Sequence, residues 1–198
     1  MYFKLIVACD SKNGIGLNNN IPWNLSKEIQ YFRKITTHTT NPILLNVVIM
    51  GRKTWDSIPD NYKPLSNRIN IVLTKTLTSK CNSKNLFYCS SIENSISLLK
   101  TIKNVNLDNI YIIGGESIYR EALNNFKCTK IYLTEIYNNY NCDKFFPEVP
   151  NYYKLATVSN FIKENNEYYR NLVYYNTNTN TNSNISNSYE LWKNKEEC

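Results

Sequence analysis

The sequence predicts an α/β protein: one domain with a central mixed, mostly parallel sheet, helices on its faces and an antiparallel edge toward the C-terminus. Three observations carry this. Short apolar runs alternate with segments of helical periodicity through most of the chain. The later part holds strand-like runs with no helix between them, which suits antiparallel pairing at one edge. Finally, 198 residues with 42% hydrophobic content are enough for one sizeable core, and the length does not require two.

The elements follow in order. "FKLIVAC" (3–9), apolar apart from Lys4, reads as a buried strand. A loop covers 10–24. From Leu25 the apolar positions Leu25, Ile29, Phe32 and Ile35 have the spacing of one helix face, so a helix runs from 25 to 37. "ILLNVVIM" (43–50) is a strand, followed by Gly51 and a short helix through Trp55. "RINIVLT" (68–74) and "NLFYC" (85–89) are strands, 92–103 is a helix, and "NIYII" (109–113) is a strand that runs into Gly114-Gly115 and a helix to 124. "KIYLTEIY" (130–137) and "YKLATVSNF" (153–161) complete the strands before a polar segment, 163–186, read as a loop within the domain. Its core, "NTNTNTNSN" (176–184), is low complexity and cannot build a core. After it, "NSYELWKN" (187–194) alternates like a strand, so the tract reads as a long loop between strands; a linker to a further domain is the alternative.

Composition narrows the function. The six cysteines, at 9, 81, 89, 128, 142 and 198, form no CxxC pair, and His38 is the single histidine. This disfavours a zinc site or a disulfide scaffold, leaves no metal site to nominate, and favours a reducing, cytoplasmic setting. The apolar run after Met1 is too short for a signal-peptide core or a membrane span. The net charge is +7, but the basic residues are spread along the chain, so a surface that attracts small anions fits at least as well as a nucleic-acid surface. The five glycines are scarce against the roughly fourteen that ordinary usage gives, and they sit at 14, 16, 51, 114 and 115. Such survivors mark positions that need backbone freedom or close approach.

Two of those positions are strand-to-helix junctions. In "VVIMGRKTW" (47–55) a strand and a glycine precede Arg52, Lys53 and Thr54. In "IYIIGGES" (110–117) a double glycine precedes Ser117. Each could be a tight turn and nothing more. Together they point to a phosphate-bearing ligand across the carboxyl ends of the sheet, without a Walker loop or a GxGxxG. Thr74 and Lys75 end another strand with a hydroxyl and a cation. Glu28 is the residue out of pattern, because it lies three after Leu25 and four before Phe32, on the apolar face. It is either a first-turn carboxylate reaching water or a deliberately buried one that pairs with a cationic or amidine-like ligand group.

In order and at the expected spacing, "LIVACDSKNGIGLNNNIPWNLSKEIQYF", "VVIMGRKTWDSIP", "KPLSNRINIVLT", "IYIIGGESIY", "IYLTEI" and "CDKFFP" resemble the dihydrofolate reductase family, particularly its eukaryotic type. The resemblance covers nearly the whole chain, and "SYELWKN" resembles the family's last strand. It implies NADPH-dependent reduction of dihydrofolate to tetrahydrofolate in one-carbon metabolism, by a cytoplasmic monomer that antifolate inhibitors also bind. It implies catalytic roles for Glu28, Trp23, Thr134 and Tyr119. Of these, Glu28 is the pterin-binding carboxylate, Thr134 the hydroxyl that supports it, and Trp23 the residue beside an ordered water. It implies substrate contacts from Ile6, Val7, Ala8, Ile21, Phe32, Ser57, Ile58, Leu65 and Ile113, with Arg68 on the substrate's α-carboxylate. It implies a cofactor site of Ala8, Ile15, Gly16, Gly51, Arg52, Lys53, Thr54, Leu73, Thr74, Lys75, Ser90, Ile113, Gly114, Gly115, Glu116, Ser117, Ile118 and Tyr119, a mobile lid over 13–23, and a cis Gly114–Gly115 bond. Asn19 and Asn67 depart from the family's usual small residues, and asparagine tolerates left-handed backbone. Another pterin or pyrimidine reductase on the same fold, or a folate- or RNA-binding relative that has lost catalysis, are the rivals. Arg68 argues against the first and the intact Glu28, Trp23, Thr134 set against the second.

Overall fold

The computed structural model describes residues 1–76, 85–102, 106–125 and 127–179. Its elements in chain order are β1 (Phe3–Cys9), β2 (Gly14–Gly16), α1 (Ser26–Thr37), β3 (Leu45–Gly51), α2 (Arg52–Ser57), β4 (Arg68–Leu73), β5 (Leu86–Cys89), α3 (Ile92–Thr101), β6 (Leu107–Ile112), α4 (Glu116–Leu123), β7 (Cys128–Ile136), β8 (Lys144–Phe145), β9 (Tyr153–Val158), β10 (Ile162–Glu164) and β11 (Glu167–Asn176). The main sheet runs β10-β11-β7-β1-β6-β3-β4-β5, with β9 also on β11. Its centre is parallel, and β11 pairs antiparallel with β7, β9 and β10. This is the mixed, mostly parallel α/β fold the sequence predicts.

The central strands are apolar on both faces because both faces are covered. Phe3, Leu5 and Val7 of β1, Val47 and Ile49 of β3, Ile69 and Ile71 of β4, and Ile110 and Ile112 of β6 build the larger core with α3 and α4. The alternate positions Ile6, Val48, Met50, Val72 and Tyr111 pack on the other face with Ile35, Phe32 and Trp55 of α1 and α2. Period-two alternation divides the strands between the two layers. Each fully buried Leu or Ile contributes roughly 1.5–3 kcal/mol.

The late strands differ from expectation. Residues 162–164 and 167–176 form β10 and β11, so the polar-loop reading of 163–186 is corrected as far as Asn176. The place beside β7 belongs to β11. The strand expected at 187–194, and 180–186 of the loop, lie outside the described residues. Ile29 is a second correction, because it is 57% exposed. The buried stripe of α1 is centred on Glu28, Ile35 and Thr36, and one residue beyond Glu28 is about 100° around the helix.

Candidate functional site

The carboxyl ends of the parallel strands converge on one region. β3 ends at Gly51 and β6 reaches Gly114 just past its end. The Gly51 N–H donates to the Gly114 carbonyl at 2.8 Å, so the two junctions nominated from sequence lie side by side. The Gly114–Gly115 peptide is cis and Gly114 has φ +120°, a conformation natural to glycine. A Cβ on Gly115 would meet Thr54 Oγ1 at 3.2 Å. Arg52 pairs with Asp56 at 2.8 Å, both exposed. A cavity of about 380 Å³ lies between Asn19 and Asn20 of the lid and Arg52, Lys53, Asp56 and Ser57 of α2. Thr74 is half-buried and its hydroxyl bonds Thr76, whereas Lys75 is exposed. The Ser90 hydroxyl accepts from Asn94 Nδ2 at 2.7 Å. Ser117 is exposed, and Glu116 pairs with Arg120 at 3.4 Å.

Glu28 is buried at 8% exposure. Burial pushes its carboxyl up to about 7, with the Thr134 hydroxyl opposing the shift and Glu164 adding to it. Thr134 Oγ1 stands 3.5 Å from Glu28 Oε1 and 3.0 Å from Asn171 Oδ1. Tyr119, fully buried, donates its hydroxyl to the Ile6 carbonyl at 2.7 Å. Trp23 is buried with Leu25, Ile136 and Tyr169, its ring 5.5 Å from Tyr140. Phe32, Ile58, Leu65 and Ile113 are half-buried against the layer that contains Ile6, so the apolar residues nominated from sequence do line one surface.

Arg68 closes the far end of that surface. Its Nη1 donates to Thr36 Oγ1 at 2.7 Å and its Nε to the Ser66 carbonyl at 3.0 Å. The guanidinium lies 5.8 Å from the Phe32 ring centre. Burial, then the neighbouring Arg33, lowers its pKa to about 10, so a ligand anion here would relieve an electrostatic cost. Asn70 fixes the loop that carries Leu65, accepting from the Leu65 N–H and donating to its carbonyl.

Several nominated side chains point elsewhere. Val7 and Leu73 belong to the opposite core layer, because β1 and β4 alternate faces and only their backbones reach the site. Ile15 and Ile118 pack partly against that same core, whereas Ala8 keeps the Ile6 face of β1, paired with Thr134 and packed by Trp23. Ile21 is 61% exposed, and the Ser57 hydroxyl is turned back to the Thr54 carbonyl.

Three residues that support the site were not nominated from sequence. Asp10, 2% exposed, accepts from the N–H groups of Gly14 (2.7 Å), Lys12 (2.9 Å) and Tyr140 (3.0 Å). Burial works against its charge, but these donors outweigh burial and hold its pKa below the ordinary value. They fasten the base of the loop after β1, where β2 pairs with β8 and a Cβ on Gly14 would strike Cys142 at 2.6 Å. An Asp four residues before a glycine-rich loop is the signal that could have found it. Glu164 and Asn171, both at the Glu28 end, lie in the segment 163–186 that the sequence reads as loop.

Comparison with known proteins is consistent along the chain. Residues 2–177 match the family model described as "Dihydrofolate reductase". The chain is 35% identical over 163 residues to the dihydrofolate reductase of Aedes albopictus, covering 82% of this chain and 88% of that protein. It is 41% identical over 147 residues to that of Heliothis virescens, covering 73% and 78%. It is also 39% identical over 149 residues to the bifunctional dihydrofolate reductase-thymidylate synthase 2 of Arabidopsis thaliana, covering 74% of this chain and 26% of that longer protein.

Proposed function

The chain belongs to the dihydrofolate reductase family of oxidoreductases, and from that premise we propose that it reduces 7,8-dihydrofolate to tetrahydrofolate with NADPH, feeding one-carbon metabolism as a cytoplasmic monomer. The observation that carries the reading is Glu28: a carboxylate buried on the packing face of α1, next to a threonine hydroxyl and with no cation bonded to it among the described residues. Such a group suits the amidine-like edge of a pterin, whose hydrogen bonds and partial charge compensate the lost hydration.

The other residues divide the work. Phe32, Ile58, Leu65 and Ile113 wall the ring and exclude water. Arg68 offers its remaining guanidinium hydrogens to the substrate's terminal carboxylate. Tyr119 holds the Ile6 carbonyl in place at the strand edge. The side-by-side junctions at Gly51 and Gly114–Gly115, where an added Cβ would press on Ile118 or Thr54, suit a pyrophosphate, with Arg52, Lys53, Thr54, Thr74 and Lys75 around it. When bound, the reduced nicotinamide supplies the hydride. Glu28 binds the ring and favours protonation at N5, so the solitary carboxylate works by position and charge.

The test is loss of NADPH absorbance with and without dihydrofolate. The parent consumes NADPH only with dihydrofolate present. Glu28→Gln loses most turnover at neutral pH and recovers part of it in acid, where solution can protonate the substrate directly. Unchanged turnover of Glu28→Gln at pH 7 would refute the role of Glu28.

A further inference from the structure

We propose that Asn171 is a positioning residue for the Glu28 carboxyl, acting through Thr134 as a hydrogen-bond relay whose direction can reverse. The inference rests on Glu28 being the substrate-binding carboxylate and adds the device that accommodates both of its protonation states.

The placement comes from sheet register. β11 pairs antiparallel with β7 so that Asn171 stands directly opposite Thr134, and β1 places Ala8 on Thr134's other side. Paired residues share a face, so the amide and the hydroxyl meet beside Glu28. Asn171 is fixed along β11, since its N–H donates to Ser159 Oγ and its carbonyl accepts from Ser159 N, both at 2.9 Å.

Thr134 Oγ1 lies 3.0 Å from Asn171 Oδ1 and 3.5 Å from Glu28 Oε1. A hydroxyl has one proton and cannot donate to both. Two arrangements satisfy the triad. With Glu28 protonated, it donates to Thr134, which donates to Asn171 Oδ1. With Glu28 ionised, the Asn171 amide turns over, its NH₂ donates to Thr134, and Thr134 donates to Glu28. An amide carries a donor and an acceptor of nearly the same shape, so asparagine serves either state. Aspartate can only accept, and leucine can do neither.

The surroundings make such hosting necessary. Among the described residues, Glu164 of β10 acts on Glu28, and Tyr31 of α1, Tyr119 of α4 and Tyr169 of β11 feel its charge. None is a cation, so hydrogen bonds carry the accommodation of charge. Burial also brings the carboxyl to about 7, where both states are populated under working conditions.

The experiment measures the Glu28 titration directly, by isotope-edited infrared difference between each protein and its Glu28→Gln counterpart, alongside the pH profile of turnover. Asn171→Leu commits the Thr134 proton to Glu28 and lowers the carboxyl pKa. Asn171→Asp commits it to residue 171 and raises it. Each shift is about one pH unit, the worth of one charge-assisted hydrogen bond. In a Thr134→Val background the leucine shift vanishes, and the aspartate shift shrinks to its through-space part. Asn171→Ser, which keeps a donor and an acceptor, stays near the parent. Shifts of one sign for Leu and Asp, or a leucine shift undiminished without the Thr134 hydroxyl, overturn the relay. If Asn171→Leu does not fold, Asn171→Ala carries the same expectation. The two proposals fail separately. Loss of the Glu28 role appears as normal turnover in Glu28→Gln, whereas the infrared titration decides the relay in either case.

Discussion

At the scale of single residues, Glu28 places stability and activity in opposition. Its carboxyl rises from 4.5 in an unhindered setting to about 7 in the fold, chiefly through burial. The unfolded chain therefore releases this proton near 4.5, while the folded chain holds it to about 7. Between those values folding stability falls as pH rises, and above 7 the loss is complete. Glu28→Gln removes the titration. At pH 8 it should be more stable than the parent by up to about 2–3 kcal/mol, roughly 5–10 °C in melting temperature, and at pH 4 the difference should shrink toward zero. Thermal melts of both proteins without ligand at the two pH values check this, and a parent that is the more stable at pH 8 would refute the buried charge. The misfit of Glu28 with its helix face was visible in the sequence. Its choice between reaching water and staying buried was not, because that depends on β7 and β10 from far along the chain.

At the scale of elements, the β10–β11 hairpin secures the start of α1. The N-cap residue Leu25 supplies no side-chain acceptor. Glu164 does so instead, accepting from the Lys27 N–H at 3.1 and 3.2 Å, while Asn165 Nδ2 donates to the Asn24 carbonyl at 3.0 Å. The Tyr169 hydroxyl donates to Glu164 Oε2 at 3.2 Å. A carboxylate at a helix N-terminus satisfies exposed donors and complements the dipole. Glu164→Ala should cost about 1 kcal/mol. The loss should be larger at pH 5.5, where Glu28 is protonated, than at pH 8, where removing Glu164 also relieves repulsion with ionised Glu28. Equal loss at both values would separate the two carboxylates. The mostly apolar strands β1, β3, β4 and β6 were legible because burial on both faces favours that composition, and the amides that interrupt it, Asn46 and Asn70, are buried with hydrogen-bond partners. β11 was not. Its "EYYRNLVYYN" buries Tyr169 in the Trp23 cluster on one face and Leu172 in the larger core on the other, and the half-buried tyrosines and polar residues between them mask the period of two.

At the scale of the whole molecule, the site is an edge property of the parallel sheet. Residues from β1, β3, β4, β5 and β6 or just beyond them meet only because the crossovers place all these strand ends on one side. Their grouping could be read from motif order, whereas the facing of Val7, Leu73 and Ile29 required the packed layers. The proposed use of NADPH has its test at this scale. Thr74 and Lys75 follow β4, so Lys75→Ala should weaken NADPH by about tenfold and leave NADH nearly unaffected, this cation being suited to a 2′-phosphate. Initial rates against each cofactor measure it, and equal losses for both would remove Lys75 from that role.

The Asp10 carboxylate fastens the root of the loop that follows β1. Three peptide hydrogens that belong to no long strand or helix, those of Lys12, Gly14 and Tyr140, end on its oxygens. Past β2, Asn18 and Asn19 take left-handed backbone at φ 51° and 61° and are exposed. In deuterated water the Gly14 and Tyr140 amides should exchange as slowly as those of a sheet, while the amides of Asn18 and Asn19 exchange within the dead time of mixing. Asp10→Ala should bring both sets to the fast rate. That pattern of exchange would mean that a loop moving over the cleft does so about a root anchored to the sheet, leaving the end of β1 in place.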